Sequence, residues 1–107
     1  MNLYEALAEP NRRRIIELVG EGERTAGDIV DALEISQPGV SRHLRVLREA
    51  GLVDVREEAQ RRVYSLRAEP LAEVDEWLGR YRALWENRLD ALHTEIARGK
   101  HERRSTG

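Results

Sequence analysis

The stretch ISQPGVSRHLRVLREAGLV, from Ile35 to Val53, decides how the chain folds. Three of its apolar residues recur at three- and four-residue steps, the spacing of one buried side of an α-helix: Val40, Leu44 and Leu47. The opposite side carries side chains that donate hydrogen bonds: Gln37, Ser41, Arg42 and Arg45. We therefore expect a helix that packs by one side and presents donors to a partner by the other.

The residues around this helix predict a second helix immediately before it. Ser36 can cap the start of the later helix, Pro38 suits its first turn, and Gly51 can end it. Upstream, Thr25 and Asp28 have the three-residue spacing of a capping box. The helix that they would start has one apolar side: Ile29, Val30 and Leu33. Two short helices with so short a connection form a helix-turn-helix.

The flanking segments complete a small, mainly helical domain. Earlier helices are expected at Leu3–Ala8 and from Pro10 to about Val19. Gly20 and Gly22 would end the second of these. Two β-like runs follow the helix-turn-helix, at 52–55 and 62–66, with residues 57–61 as their turn. The sequence therefore predicts a winged helix-turn-helix, mainly α with a small β-hairpin wing.

A long apolar stripe beginning after Pro70 predicts a C-terminal dimerisation helix. Its residues recur at three- and four-residue steps: Leu71, Val74, Leu78, Tyr81, Trp85, Leu89 and Leu92. The helix would run to about Arg98, roughly 40 Å at about 1.5 Å per residue, more than so small a domain can cover. We expect this stripe and Leu3 on the first helix to form a homodimer interface. Residues 1–98 would form one domain, and residues 99–107 a disordered tail.

Composition restricts the class of protein. The chain has 107 residues and no cysteine, which excludes disulfides and thiolate metal sites. No apolar run approaches the length of about 18 residues that a membrane span needs. The N-terminal residues lack the basic-then-apolar order of a signal peptide. We therefore expect a cytoplasmic protein.

Charge is distributed unevenly along the chain. The net charge of −2 by itself argues against a nucleic-acid partner. Residues 36–68, however, carry seven arginines against four acidic residues, and this segment contains both the donor-rich helix and the hairpin. Arginine outnumbers lysine 17 to 1, and its planar guanidinium group suits phosphate and guanine.

Three segments stand in an order found in a known family: LAEPNRRRIIELV, then SQPGVSRHLRVLREAGLV, then a strand pair ending in RRVYSL. Over roughly residues 3–96 they resemble ArsR-family winged-helix transcriptional repressors. The resemblance implies a homodimer that binds operator DNA and often represses its own gene. Many members release DNA when they bind a metal ion.

Two features depart from the family pattern. The usual wing turn contains a glycine, whereas this turn reads EEAQR, so the geometry of the wing is open. The family's thiolate metal sensors carry a Cys-x-Cys pair on the first helix of the helix-turn-helix, where this chain has TAGDIVDAL. The thiolate metal switch is therefore absent.

The donor positions indicate which residues would contact DNA. The first turns of a recognition helix usually reach base edges, where Gln can pair with adenine and Arg with guanine. Serine can donate to a phosphate. Arginines around the hairpin turn would lie along phosphates or in a minor groove, although charges there also protect an edge strand. The predicted DNA-binding residues are Gln37, Pro38, Ser41, Arg42, His43, Arg45, Arg56, Arg61 and Arg62.

Three consecutive arginines, Arg12, Arg13 and Arg14, open the second helix, where their charge opposes the helix dipole. Contact with the DNA backbone is one explanation. Pairing with the nearby Glu9 or Glu17 is the other, and it is the one that we favour.

One set of side chains could bind a metal ion. Glu86, Asp90 and His93 share a face of the long helix, but known family sites on this helix have a different spacing, and such a set is more often solvated. We predict no metal site and no cofactor. The sequence has no glycine-rich phosphate loop and no nucleophile paired with a base, so we do not expect an enzyme.

The sequence thus predicts a homodimeric regulator that binds double-stranded DNA, a repressor acting on a palindromic operator. Two alternatives stay open. One is a winged-helix protein-interaction module without a specific DNA site, and the other is a metal-responsive repressor that uses carboxylate and histidine ligands. The operator, and any small-molecule or metal effector, cannot be deduced from the sequence.

Overall fold

The computed structural model describes residues 1–106 and their side chains as far as Ile96. The chain divides into two units, Met1–Glu73 and Val74–Gly107. The elements are α1 (Leu3–Ala8), α2 (Pro10–Glu21), β1 (Arg24–Thr25), α3 (Ala26–Leu33), α4 (Gln37–Glu49), β2 (Val53–Glu58), β3 (Arg61–Leu66) and α5 (Glu69–Thr106). The mainly helical fold with a β-hairpin wing is confirmed.

Helix α2 runs through Gly20 to Glu21, so the prediction that Gly20 ends it is wrong: one glycine costs a helix only about 1 kcal/mol.

Helices α3 and α4 form the predicted helix-turn-helix, and their caps are the ones expected. The Asp28 N–H donates to the Thr25 hydroxyl at 3.1 Å, and the Thr25 N–H donates to the Asp28 carboxylate at 3.0 Å. These hydrogen bonds, from the Thr25 backbone first, lower the pKa of Asp28. After α3 the backbone turns through a left-handed residue, Glu34, and the Ser36 hydroxyl then accepts the Gly39 N–H at 3.2 Å.

The end of α4 is a Schellman motif that directs the chain into the wing. Gly51 has a φ of 77°, a conformation that glycine adopts without steric cost. Its N–H donates to the Arg48 carbonyl at 3.0 Å, and the Leu52 N–H donates to the Leu47 carbonyl at 2.9 Å. Both bonds satisfy carbonyls that the last helical turn would otherwise leave unpaired.

The wing belongs to a three-stranded antiparallel sheet of order β1-β3-β2. Strand β1 was not predicted, because two residues are too short to show an alternating pattern. It pairs Arg24 with Tyr64 and so attaches the wing to the segment before the helix-turn-helix.

The wing turn is tighter than the predicted 57–61. In the hairpin register Glu58 pairs with Arg61, which leaves only Ala59 and Gln60 between the strands. Ala59 has a φ of 56°, so an alanine occupies the left-handed position where glycine is usual. The hairpin therefore forms without the usual glycine, at the cost of backbone strain at Ala59.

One hydrophobic core holds the first unit together, and both helices of the helix-turn-helix contribute residues to it. Its buried members are Ala6, Ile15, Val19, Ile29, Leu33, Val40, Leu44, Leu47, Leu52, Val53 and Tyr64. Val30, predicted as buried, is only half-buried. Leu3 and Leu71 pack against this core from its edge.

In the second unit, α5 keeps most of its large apolar side chains exposed: Trp77, Leu78, Tyr81, Leu84, Trp85, Leu89, Leu92 and Ile96. The rings of Trp77 and Tyr81 lie 5.2 Å apart in a tilted arrangement. Helix α5 extends to Thr106, beyond the predicted end near Arg98. The predicted disordered tail, 99–107, lies outside the described side chains and stays a prediction. Within residues 1–106, no helix is long and apolar enough to cross a membrane.

Candidate nucleic-acid interface

Helix α4 has the two predicted sides. Val40, Leu44 and Leu47 are at most 2% exposed, and burying each such side chain contributes about 1.5–3 kcal/mol. They fix the rotation of the helix about its axis. The side chains that consequently reach solvent are those predicted to meet DNA on this helix, His43 excepted: Gln37, Pro38, Ser41, Arg42 and Arg45.

The arginines on this outer face have guanidinium N–H groups that are free to donate to a ligand. Within the part of the chain whose side chains are described, Arg42, Arg45 and Arg48 make no side-chain hydrogen bond or ion pair. Each guanidinium group carries five N–H donors and no acceptor. The face therefore suits an external ligand that supplies acceptors and negative charge.

Helix α4 and the wing meet at one cavity of about 190 Å³. Its lining consists of Ser41, Leu44, Arg45 and Arg48 from the helix with Arg62 and Tyr64 from β3. The structure therefore brings together Ser41, Arg45 and Arg62, three of the predicted DNA-binding residues. Arg48 and Tyr64 were missing from the prediction. Arg48 could have been found, because it follows Ser41 by seven residues and so lies on the same helical side.

Arg56, another predicted DNA contact, already forms ion pairs with two carboxylates. Its guanidinium group lies 2.6 Å from the Glu23 carboxylate and 2.9 Å from that of Glu58. The hydrogen bond with Glu23, followed by that with Glu58, raises the pKa of Arg56. Glu23 precedes β1, so Arg56 connects the hairpin to the segment before the helix-turn-helix.

Arg61 and Arg62 are the exposed arginines at the start of β3. In the hairpin register they lie opposite Glu58 and Glu57. These two carboxylates reduce the positive charge of the wing tip. Of the two arginines, Arg62 also lines the cavity beside α4.

His43, which was also predicted to bind DNA, takes part in an internal polar network. Its Nε2 lies 3.7 Å from the Glu9 carboxylate, and its Nδ1 lies 3.4 Å from Nη1 of Arg12. Since a guanidinium group can only donate, Nδ1 is the acceptor in this contact. These contacts connect α4 to the start of α2, and the DNA contact of His43 stays a prediction.

Among the described side chains, no arginine of the triplet forms the ion pair with Glu9 or Glu17 that we favoured from the sequence, and the first two donate to the backbone of α1 instead. Arg12 is buried, and it donates through Nε to the Ala6 carbonyl at 2.6 Å and through Nη2 to the Glu5 carbonyl at 3.1 Å. Arg13 donates to the carbonyls of Leu7 and Ala8. These are the last four carbonyls of α1, which have no partner within that helix. The charges oppose the dipole of α2 but complement the C-terminus of α1.

The predicted metal candidates do not form a site. Among the side chains that the structure describes, no group of three or more His, Asp or Glu residues is placed to hold a metal ion. Glu86, Asp90 and His93 fall within this range.

Comparison with known proteins decides the family. The model for "bacterial regulatory protein, arsR family" matches residues 9–55, which span the start of α2 to the first wing strand. The transcriptional repressor SdpR of Bacillus subtilis strain 168 is 35% identical over 77 residues, which cover 72% of this chain and 86% of SdpR. The chain belongs to the ArsR family.

Two further proteins are similar to this chain. The HTH-type transcriptional regulator Rv2034 of Mycobacterium tuberculosis is 40% identical over 78 residues, 73% of each chain. The structure of HlyU from Vibrio cholerae N16961 superposes with a TM-score of 0.62 at 35% identity, over 74% of this chain and 87% of HlyU. These relatives are transcriptional regulators. The ArsR-family chain described here is therefore a DNA-binding regulator and not an enzyme.

Proposed function

We propose that the chain is a transcriptional repressor that binds a palindromic operator as a homodimer. The observation that carries the DNA part is the outer side of α4, where Arg42, Arg45 and Arg48 have no partner in the described chain and where Arg45 and Arg48 line a cavity shared with the wing. As a DNA-bound regulator it would act in the cytoplasm. Metal ions have no part in this proposal.

The residues at the start of α4 would read bases. Gln37 is the first residue of the helix and Ser41 lies one turn later, both exposed. The N-terminal residues of a recognition helix contact base edges in the major groove. Arg42 adds a donor group on the same side. Arg61 and Arg62 on the wing would contact phosphates, which fix the register of the protein without reading sequence.

These two roles predict different consequences for Gln37→Ala and Arg62→Ala. Loss of a base contact should cost about 1–3 kcal/mol on the specific site and relax the preference at one base position. Loss of a phosphate contact should weaken specific and scrambled duplexes alike and reduce the salt slope by about one unit per half-site. Fluorescence anisotropy with both duplexes at several salt concentrations measures these effects.

If Arg62→Ala alters base preference while Gln37→Ala changes only the salt dependence, the proposed roles are reversed. If the wild-type protein shows no salt-dependent binding and no preference among duplexes, the chain is a protein-interaction module and not a repressor.

The apolar side of α5 would supply the homodimer interface. Tyr81 is 54% exposed, Trp85 60% and Leu92 51%, values that a stable monomer rarely shows for neighbouring large apolar residues. Tyr81, Leu84, Trp85 and Arg88 also line a shallow apolar cavity that a partner side chain could fill. A two-fold interface between identical helices is the commonest arrangement that buries such a stripe. Leu3 and Leu71, predicted for this interface, already contact the core of their own chain.

Trp85→Glu tests the interface, with Ala83→Glu as its matched control. Ala83 is exposed on the same helix but about 200° around its axis from Trp85. Sedimentation should show a dimer for the wild type and for Ala83→Glu at micromolar concentration, and a monomer for Trp85→Glu. A stable wild-type monomer at that concentration would contradict the proposed dimer.

A further inference from the structure

The cavity between α4 and β3 has the chemistry of an anion site. Three arginines surround it, Arg45 and Arg48 from the helix and Arg62 from the strand. The Ser41 hydroxyl group adds a donor, while Leu44 and Tyr64 form a buried, largely rigid floor. The cavity volume of about 190 Å³ is several times the roughly 30 Å³ that one water molecule occupies in the liquid. A phosphate-sized group therefore fits with room for water.

Glu57, opposite Arg62 in the hairpin register, reduces the positive charge at this cavity, but no ion pair among the described side chains neutralises it. Within the described side chains, none of its three arginines makes an ion pair, whereas the nearby Arg56 makes two. Cations brought close together repel one another, and the repulsion is relieved when an anion lies between them. Such an arrangement favours an anionic ligand.

We propose that this cavity clamps one phosphodiester group of the DNA backbone between the recognition helix and the wing. Arg45 and Arg48 hold it from α4 and Arg62 from β3. Arginine suits this role because its planar fork can donate two parallel hydrogen bonds to phosphate oxygens. The clamp would fix the angle between helix and wing on DNA. The inference rests on the proposed DNA binding and adds a site at which two elements share one phosphate.

A phosphate that Arg48 and Arg62 share predicts a result that two independent phosphate contacts would not give. If Arg48 and Arg62 hold the same phosphate, removing either one loses most of the contact. Arg48→Gln and Arg62→Gln should each weaken specific and scrambled duplexes equally, by about tenfold per half-site. The double variant should be little weaker than either single variant, far short of the product of the two effects. The salt slope should fall by up to about 0.9 per half-site in each single variant and no further in the double.

Arg67→Gln is the matched control. Arg67 is exposed just after β3 and loses the same charge, but its guanidinium group already lies near Asp54 and Glu69. It should bind DNA within about twofold of the wild type. Thermal unfolding of every variant should match the wild type, because the substituted arginines are exposed.

Duplexes carrying one neutral methylphosphonate identify the phosphate itself. At one position per half-site the substitution should weaken the wild type about tenfold and the Arg48→Gln, Arg62→Gln double variant much less, since only Arg45 is left to hold that phosphate. Fold-changes for Arg48→Gln and Arg62→Gln that simply multiply, or an Arg48→Gln variant that binds like the wild type, would overturn the clamp while the proposed function stands. A wild-type protein that binds no duplex would overturn both.

Discussion

Arg12→Met tests whether the buried Arg12 stabilises the fold through the end of α1. The substitution keeps a long apolar stem but removes the charged donor of three hydrogen bonds, to the carbonyls of Ala6 and Glu5 and to Nδ1 of His43. Hydrogen bonds to charged groups contribute about 1.5–3 kcal/mol each, so the variant should lose about 3 kcal/mol of unfolding free energy. Relief of the cost of burying a charge acts in the opposite direction. We expect the lost bonds to dominate, because the two carbonyls at the end of α1 would be left unpaired.

Arg14→Met is the matched control for this loss. It removes the same charge from the same helix, but Arg14 is exposed and makes only a 3.5 Å contact with the Ala32 carbonyl. Its effect should stay within about 0.5 kcal/mol. Urea unfolding followed by circular dichroism at one fixed protein concentration measures both variants, since the stability of a dimer depends on concentration. If the two variants agree within about 0.5 kcal/mol, the hydrogen bonds of Arg12 do not stabilise α1 as argued.

Three other outcomes follow from particular contacts. Ala59→Gly should raise the unfolding free energy by about 1 kcal/mol, because it relieves the left-handed strain in the wing turn, while Gln60→Gly should not; thermal unfolding of both compares them. The lowered pKa of Asp28 gives stability that is present above the pKa of the unfolded chain and lost as pH falls through the lower folded pKa. Asp28→Asn should therefore flatten the acid side of a stability–pH curve, and an unchanged curve would refute the capping contribution. Zn²⁺ should leave operator affinity within tenfold, about 1.4 kcal/mol, with or without a chelator; a larger loss that His93→Ala abolishes would contradict this.

Helical periodicity was sufficient to predict most of the fold. The buried side of α4, the capping box of α3 and the glycine that ends α4 follow from local rules of spacing and backbone geometry. Strand β1 does not, because two residues carry no periodic signal and pair only through a long-range contact with β3. The tight wing turn was missed for a related reason: Ala59 adopts a conformation that its residue type disfavours.

The candidate site was predictable in outline and less so in detail. The sequence indicated which side of α4 carries donors, and the structure places those donors in solvent. It could not show that Arg56 is paired with Glu23, which lies far away in the sequence. Nor could it show that His43 contacts Glu9 and Arg12. Both contacts are tertiary: they join residues that are distant in the sequence, and no periodic spacing predicts them.

Selection of bound DNA from a random library tests the central claim most directly. A homodimer that inserts α4 into the major groove on each side of a two-fold axis should enrich a palindromic consensus. Its half-sites should be centred about one helical turn apart, near 10 base pairs. The Gln37→Ala variant should select a consensus relaxed at one position in each half-site. Enrichment of no sequence, or of a consensus without two-fold symmetry, would contradict a dimeric repressor that reads an operator through α4.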